Sequence, residues 1–336
     1  MINLGVLTSS RADYGIYLPF LKAMKMDKEI DLKIIVFGTH LSKVHGYTIS
    51  QIESDGFKVF RKIDSLLMGD TPNAVASGYA LTALKFSEFW EEHHDEFDIV
   101  FALGDRFEMA AAVAAAVPYQ VKFAHLHGGE TTLGAIDNIY RHSISLSSSL
   151  HFVSTNSFKN RLTKLLNDGQ AEIFNVGSLS LENLLTMPLL SIDEFRNKWN
   201  IDLSIDTILV TVHPETVAFN LNEHYCKEVC LALVRLSADN QIVITMPNAD
   251  TSAMVFRMAF EELGKQYKNI KVIENFGTQS YFTCMKFSKL MIGSLAKVPC
   301  PNCACAVRLK RLKRKNSFFI IMRTTSIFIF LWRCKW

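Results

Sequence analysis

Short runs rich in Val, Ile and Leu recur along this 336-residue chain, separated by stretches with helical spacing. That alternation is the mark of βαβ units, whose crossover helices make neighbouring strands parallel and cover both faces of the sheet. Strands are expected at residues 2–9 (INLGVLTS), 32–38 (LKIIVFG), 98–104 (DIVFALG), 121–127 (VKFAHLH), 150–155 (LHFVST) and 172–177 (EIFNVG). Helical spacing is clearest over 73–94 and 106–119. After a polar stretch around 186–204 the rhythm restarts with strands at 206–212, 241–246, 270–275 and 290–293. The chain therefore reads as α/β, with two consecutive doubly wound domains at 1–185 and 186–293 and a tail of different character at 294–336.

Composition bounds the partners. With 49% hydrophobic and 21% charged residues the chain can bury a full core. The formal charge of +3 is uneven, because residues 294–336 hold ten Lys and Arg and no acid, leaving 26 bases against 33 acids in the body. The body thus offers no nucleic-acid surface, and no nucleic-acid partner is expected. The N-terminal MINLGVLTSSRADYG starts a strand without a basic region and a long apolar core, so no signal peptide is expected. The longest apolar stretch, SFFIIMRTTSIFIFLW, is broken by Arg323, Thr324 and Thr325 and falls short of the roughly 18 to 20 residues of a membrane span. A cytoplasmic protein without a membrane partner is the expectation. Cys226, Cys230 and Cys284, scattered through the body, fit reduced and mostly buried thiols.

In doubly wound folds ligands bind beyond the carboxyl ends of the strands. Here those positions read SSRADYG (9–15), GTHLSKVHGYT (38–48), GDRFE (104–108), HGGE (127–130), GSLSLEN (177–183), HPETV (213–217) and PNADT (247–251). Neither GxGxxG after the first strand nor GxxxxGK[ST] is present, which excludes a classical dinucleotide or Walker-type site. HExxH is absent, and Cys300 and Cys303 form a CxxC without a second pair, so no metal is expected. What remains is carboxylates with basic companions: Asp105 beside Arg106, Glu130 after two glycines, and Asp137 with Arg141 and His142 one helical turn on. Paired carboxylates in unlike environments are how enzymes move protons on sugars. Gly128 and Gly129 would let the backbone approach a ligand, and Arg11 at the entry to the first helix suits an anion on a helix N-terminus. Asp137 equally fits the N-cap of the helix beginning at NIYRHSI, and Asp13 reads mainly as a helix cap.

The segments SSRADYG, LGDRFE, HLHGGETTLGAIDNIYRH, HPETV, MPNADT and ENFGTQSYF, in this order, resemble the hydrolysing UDP-N-acetylglucosamine 2-epimerases of sialic-acid-type sugar biosynthesis over residues 1 to 293. The resemblance implies two Rossmann-like domains in a GT-B arrangement and no metal or redox cofactor. It implies conversion of UDP-GlcNAc, or UDP-N,N′-diacetylbacillosamine, into UDP and the free C2-inverted sugar. Asp105, Glu130 and Asp137 become the acid/base carboxylates around C1 and C2. Arg11 and His213 would face the diphosphate, Asn248 and Tyr281 would help hold the nucleotide, Arg141 and His142 would orient the carboxylates or contact the sugar, and Arg106 joins the substrate-binding set. Complete relatives would form dimers or tetramers. A non-hydrolysing epimerase and a GT-B glycosyltransferase share the architecture and stay open as alternatives.

After LMIG the resemblance stops. The tail has no glycine, no acid and four cysteines, and its abrupt onset is what a shifted reading frame produces. Ten bases interleaved with Phe and Ile would also suit an anionic lipid surface. On the frame-shift reading the second domain is incomplete and the chain an inactive truncated product, with kcat/KM lowered at least about 1,000-fold.

Overall fold

A computed structural model describes residues 1–132, 135–169, 171–247, 251–294, 320–324 and 327–332, with the backbone alone for 183–186, 294 and the two last segments. The chain divides into two compact units, Met1–Thr131 with Ile136–Leu185, and Thr132–Ala135 with Thr186–Trp336.

The first unit runs β1 (Ile2–Thr8), α1 (Arg11–Met26), β2 (Ile30–Phe37), α2 (Ile49–Ser54), β3 (Val59–Ile63), α3 (Pro72–His93), β4 (Ile99–Leu103), α4 (Phe107–Ala116), β5 (Phe123–Leu126), α5 (Asp137–Leu146), β6 (Leu150–Val153), α6 (Asn156–Leu166), β7 (Glu172–Asn175) and α7 (Leu179–Thr186). Its sheet has the order β3-β2-β1-β4-β5-β6-β7 with every pairing parallel. The order reverses at β1/β4, the doubly wound switch point expected of the sequence. β3 is an addition to that expectation. It lies at the sheet edge and carries exposed Arg61 and Lys62, so the continuous apolar run of a central strand is missing.

Packing explains the helices. Thr71 caps α3 by accepting from the Ala74 amide, with Pro72 at the first helical position. α3 and the alanine-rich α4 cover one face of the sheet, burying Phe86, Phe89, Trp90, Ala110, Ala112 and Phe123 in one cluster. The Trp90 Nε1 donates to the Ala112 carbonyl at 2.9 Å, so its one polar atom is satisfied. Small side chains on α4 allow the two helices to approach closely.

The second unit comprises α8 (Ile192–Trp199), β8 (Thr207–Thr211), α9 (Asn222–Leu236), β9 (Gln241–Thr245), α10 (Ala253–Gln266), β10 (Ile270–Ile273), α11 (Gly277–Phe287), β11 (Leu290–Ser294), β12 (Ile320–Thr324) and β13 (Ile327–Trp332). α8 lies within the polar stretch around 186–204, and a capping box between Ser191 and Glu194 starts it. The sheet order is β10-β9-β8-β11-β13-β12. The first four strands are parallel, whereas β13 pairs antiparallel with β11 and with β12. Every residue of β8 and β9 is buried, as expected of central parallel strands. The rest of the tail, including Cys300 and Cys303, lies outside the described residues. Among the described residues no helix is long and apolar enough to cross a membrane.

Candidate active site

Three successive strands of the first unit, β4, β5 and β6, deliver polar residues just beyond their carboxyl ends. Asp105 follows β4 through Gly104, whose φ of +83° a β-carbon would disfavour. His127 directly follows β5, with Glu130 three residues later, and Ser154 directly follows β6. α5 supplies Asp137 at its first position and Arg141 one turn on.

Arg141 ties these ends together. Its Nη2 donates to Asp105 Oδ2, and its Nη1 donates to Glu130 Oε2 at 3.2 Å. The other Glu130 oxygen, Oε1, accepts from Ser154 Oγ at 2.7 Å and meets His127 Nδ1 at 2.8 Å. Burial alone would raise the Glu130 pKa, but the charge and hydrogen bond of His127, with Arg141 and Ser154, hold it at about 2. Arg141, just 5% exposed, is itself held in the charged form against burial by Asp105 and Glu130. The site-residue expectations for Asp105, Glu130 and Arg141 thus fall on one connected cluster. Asp137 is buried, and its charge acts on Arg141 and Tyr140. The N-cap position of α5 belongs to Ile136, so Asp137 is the first helical residue instead of the cap, where a carboxylate still suits the helix dipole.

A second layer holds the cluster in place. His125, fully buried in β5, sets Nε2 2.9 Å from the Gly104 carbonyl and Nδ1 2.9 Å from Ser145 Oγ. Burial pushes its pKa down to about 3; the Gly104 carbonyl opposes this, and His151, Arg141 and His127 add to it. The ring is therefore neutral. A carbonyl can only accept, so the proton is on Nε2; Nδ1 faces the Ser145 hydroxyl, which also reaches the Arg141 carbonyl at 3.0 Å. His125 thereby links the residue before Asp105 to α5, one turn after Arg141.

Gly128 and Gly129 are small because of the protein's own crowding. A β-carbon on Gly128 would lie 3.1 Å from His125 Nδ1 and 3.2 Å from Ser145 Oγ. On Gly129, at φ +73°, it would lie 2.4 Å from the Phe158 carbonyl of α6. From α6, Arg161 donates to the Gly129 carbonyl at 3.0 Å and to Thr131 Oγ1 at 2.9 Å.

At the end of β1, Asp13 takes hydrogen bonds from the Ser9 and Ser10 amides and from the Thr8 and Ser9 hydroxyls, all within 3.0 Å. It caps the first turn from within the helix, as the sequence suggests, and Arg11 becomes the first residue of α1. Arg106 binds Glu108 bidentately, Nε at 3.1 Å and Nη2 at 2.7 Å from its oxygens. Glu108 is 1% exposed and would be an uncompensated buried charge without it, a structural demand that the sequence expectation of substrate contact did not include. His142 has its pKa lowered by burial and by the charges of Arg141 and Arg161.

In the second unit His213 is buried two residues past β8. Tyr281 of α11 places its hydroxyl 3.1 Å from Thr211 Oγ1, which is 2.8 Å from Thr245 Oγ1 at the adjacent strand end. Asn248 lies outside the described residues. Among those described, no group of three or more His, Cys, Asp or Glu is arranged to hold a metal ion. The sequence reading left out His127's bond to Glu130, the buried His125 and Ser154. The HLHGGE spelling held the signal for the histidines, while Ser154 joins the cluster by sheet register alone.

Residues 22–294 match the family model described as UDP-N-acetylglucosamine 2-epimerase. The chain is 31% identical over 307 residues to the GDP/UDP-N,N′-diacetylbacillosamine 2-epimerase (hydrolyzing) of Campylobacter jejuni, covering 88% of this chain and 79% of that protein. It is 30% identical over 288 residues to the UDP-N,N′-diacetylbacillosamine 2-epimerase (hydrolyzing) of Legionella pneumophila, covering 86% and 74%. In fold it is similar to the UDP-GlcNAc 2-epimerase of Neisseria meningitidis solved with UDP-GlcNAc, with a TM-score of 0.69 and 17% identity over 88% of this chain and 78% of that one.

Proposed function

The chain belongs to the UDP-N-acetylglucosamine 2-epimerase family, and on that premise we propose that it is a hydrolysing 2-epimerase, releasing UDP and the free C2-inverted sugar from UDP-GlcNAc or UDP-N,N′-diacetylbacillosamine. The observation that carries the reading is the Asp105–Arg141–Glu130 cluster at the ends of β4 and β5. No carbonyl acidifies the C2 proton of the sugar, so its removal needs positive charge at C1 as the bond to the diphosphate breaks. Stabilising the departing UDP therefore supplies much of the rate. Arg11 and His213 serve the diphosphate in this reading, Asn248 and Tyr281 the nucleotide, and Asp105, Glu130 and Asp137 the proton transfers. Elimination leaves a glycal. Water then adds, with its hydroxyl to C1 and a proton to C2 on the face that inverts that centre. A homo-oligomer, dimer or tetramer, working in the cytoplasm completes the proposal.

The test is incubation with each UDP-sugar in heavy water. The expected products are UDP and a free sugar with deuterium at C2. Protium alone at C2 would reject elimination, a product still attached to UDP would favour the non-hydrolysing class, and no UDP from either substrate would reject the assignment. Comparing the two rates also decides which sugar the site prefers.

A further inference from the structure

Glu130 is poorly placed to move a proton by itself. Both of its oxygens are engaged, Oε1 by Ser154 and His127 and Oε2 by Arg141. Accepting from Arg141 and Ser154 favours the ionised form of the carboxyl and leaves neither oxygen free to take up a proton. Its neighbour has the opposite character. The His127 ring is bonded to Glu130 through Nδ1, its side chain is 14% exposed, and among the described residues its Nε2 has no hydrogen-bonding partner. The backbone of His127 adopts φ +64°, a left-handed conformation that crowds the β-carbon of any residue but glycine. Strain of this kind on a non-glycine residue, next to two glycines that could bear it without cost, persists where the side chain is needed.

We infer that the proton assigned above to Glu130 is exchanged through His127, with Glu130 as the partner that fixes the ring and balances its charge. The inference rests on the epimerase reading. An ionised carboxylate only accepts, so neutral His127 carries its hydrogen on Nδ1 and presents the Nε2 lone pair. In the elimination that lone pair takes the C2 proton, the C2–H electron pair becomes the C1=C2 double bond, and the C1–O pair leaves with UDP. The imidazolium so formed lies 2.8 Å from Glu130 and later returns its proton to water. Proton transfer from a positioned imidazole is worth typically about 100-fold or more in rate.

His127→Asn is the discriminating variant. The Asn amide nitrogen occupies the place of Nδ1 and keeps the donor to Glu130, and Asn tolerates the left-handed backbone. The expected result on the full chain is a kcat at least about 100-fold lower, with UDP affinity by calorimetry within about 3-fold of the unaltered protein. Turnover within about 3-fold of the unaltered chain overturns the inference. Independently, nitrogen-15 spectra of histidine-labelled protein, with the His127 signal identified by its loss in His127→Asn, should show the Nδ1–H tautomer; Nε2–H would overturn it. If the unaltered chain releases no UDP, the epimerase reading fails on its own, and the tautomer still decides for or against the pair.

Discussion

Where the strands of the first unit end, charge gathers in Asp105, Glu130 and Arg141 around two histidines; where those of the second end, Thr211, Thr245 and Tyr281 pass hydrogen bonds between hydroxyls. The first sheet and the four strands β10-β9-β8-β11 of the second are parallel and both cores are apolar, so the difference lies in what those strand ends present. Moving a proton requires groups that change charge. Holding a neutral sugar or base requires donors and acceptors that do not. The division of labour under the proposed function follows this contrast, with the proton transfers in the first unit, beside Arg11, and His213, Asn248 and Tyr281 in the second.

The largest effect should come from removing the cation of the first cluster. Arg141→Met removes the cation shared by Asp105 and Glu130, and stripping one partner from a largely buried pair costs about 3–5 kcal/mol. Because both carboxylates keep some contact with water, about 3 kcal/mol is expected, read from the transition of the first unit in urea. The corresponding change in the second unit, Arg257→Met, removes a bond to the Pro247 carbonyl and one to Glu274, whose side chain is 37% exposed. That should cost about 1–2 kcal/mol. Equal losses in the two units would break the comparison.

Acid sharpens it. His125 and His151 pair in the register of β5 and β6, and burial lowers their pKa values to about 3 and about 4. In the unfolded chain both rings take up protons near pH 6.5, so between that value and their folded pKa values the unfolded state binds more protons. Stability is therefore fully present above pH 6.5 and declines as pH falls, by about 1.4 kcal/mol per unit for each ring. By pH 5 the first unit should have lost about 3–4 kcal/mol. Hydrogen exchange by mass spectrometry between pH 7 and 5 should show β5 and β6 opening well before β8 and β9. Simultaneous opening of all four would refute this account.

Legibility in the sequence followed the same contrast. The central strands β1, β4, β5, β8 and β9 announce themselves because burial on both faces demands continuous apolar runs. The edge strand β3 stays hidden, since one free edge lets Arg61 and Lys62 stand in it. For the site, Asp105, Glu130 and Arg141 stand out because a charged residue beyond a buried strand needs a reason. Gly128 and Gly129 mislead, because spacing cannot tell a ligand's approach from that of the Phe158 carbonyl. Ser154 is invisible for a related reason: it reaches Glu130 from 24 positions away, through the register of adjacent strands.

The smallest expected effect lies in the second unit, at Tyr281→Phe. The change deletes one hydroxyl from the chain linking Tyr281, Thr211 and Thr245, and Thr211 Oγ1 keeps its partner Thr245 at 2.8 Å. No charge is stranded, and the ring stays in place because Phe fills the same volume. A neutral hydrogen bond of this kind is worth about 0.5–1.5 kcal/mol, and with the second partner retained the stability loss should fall at the lower end. If Tyr281 helps to hold the nucleotide, calorimetry should show UDP affinity weakened by less than about 10-fold, with kcat nearly unchanged because the proton-transfer groups stand in the other unit. A fall in kcat of about 100-fold at constant UDP affinity would place chemistry among the hydroxyls and overturn the contrast between the two sheets.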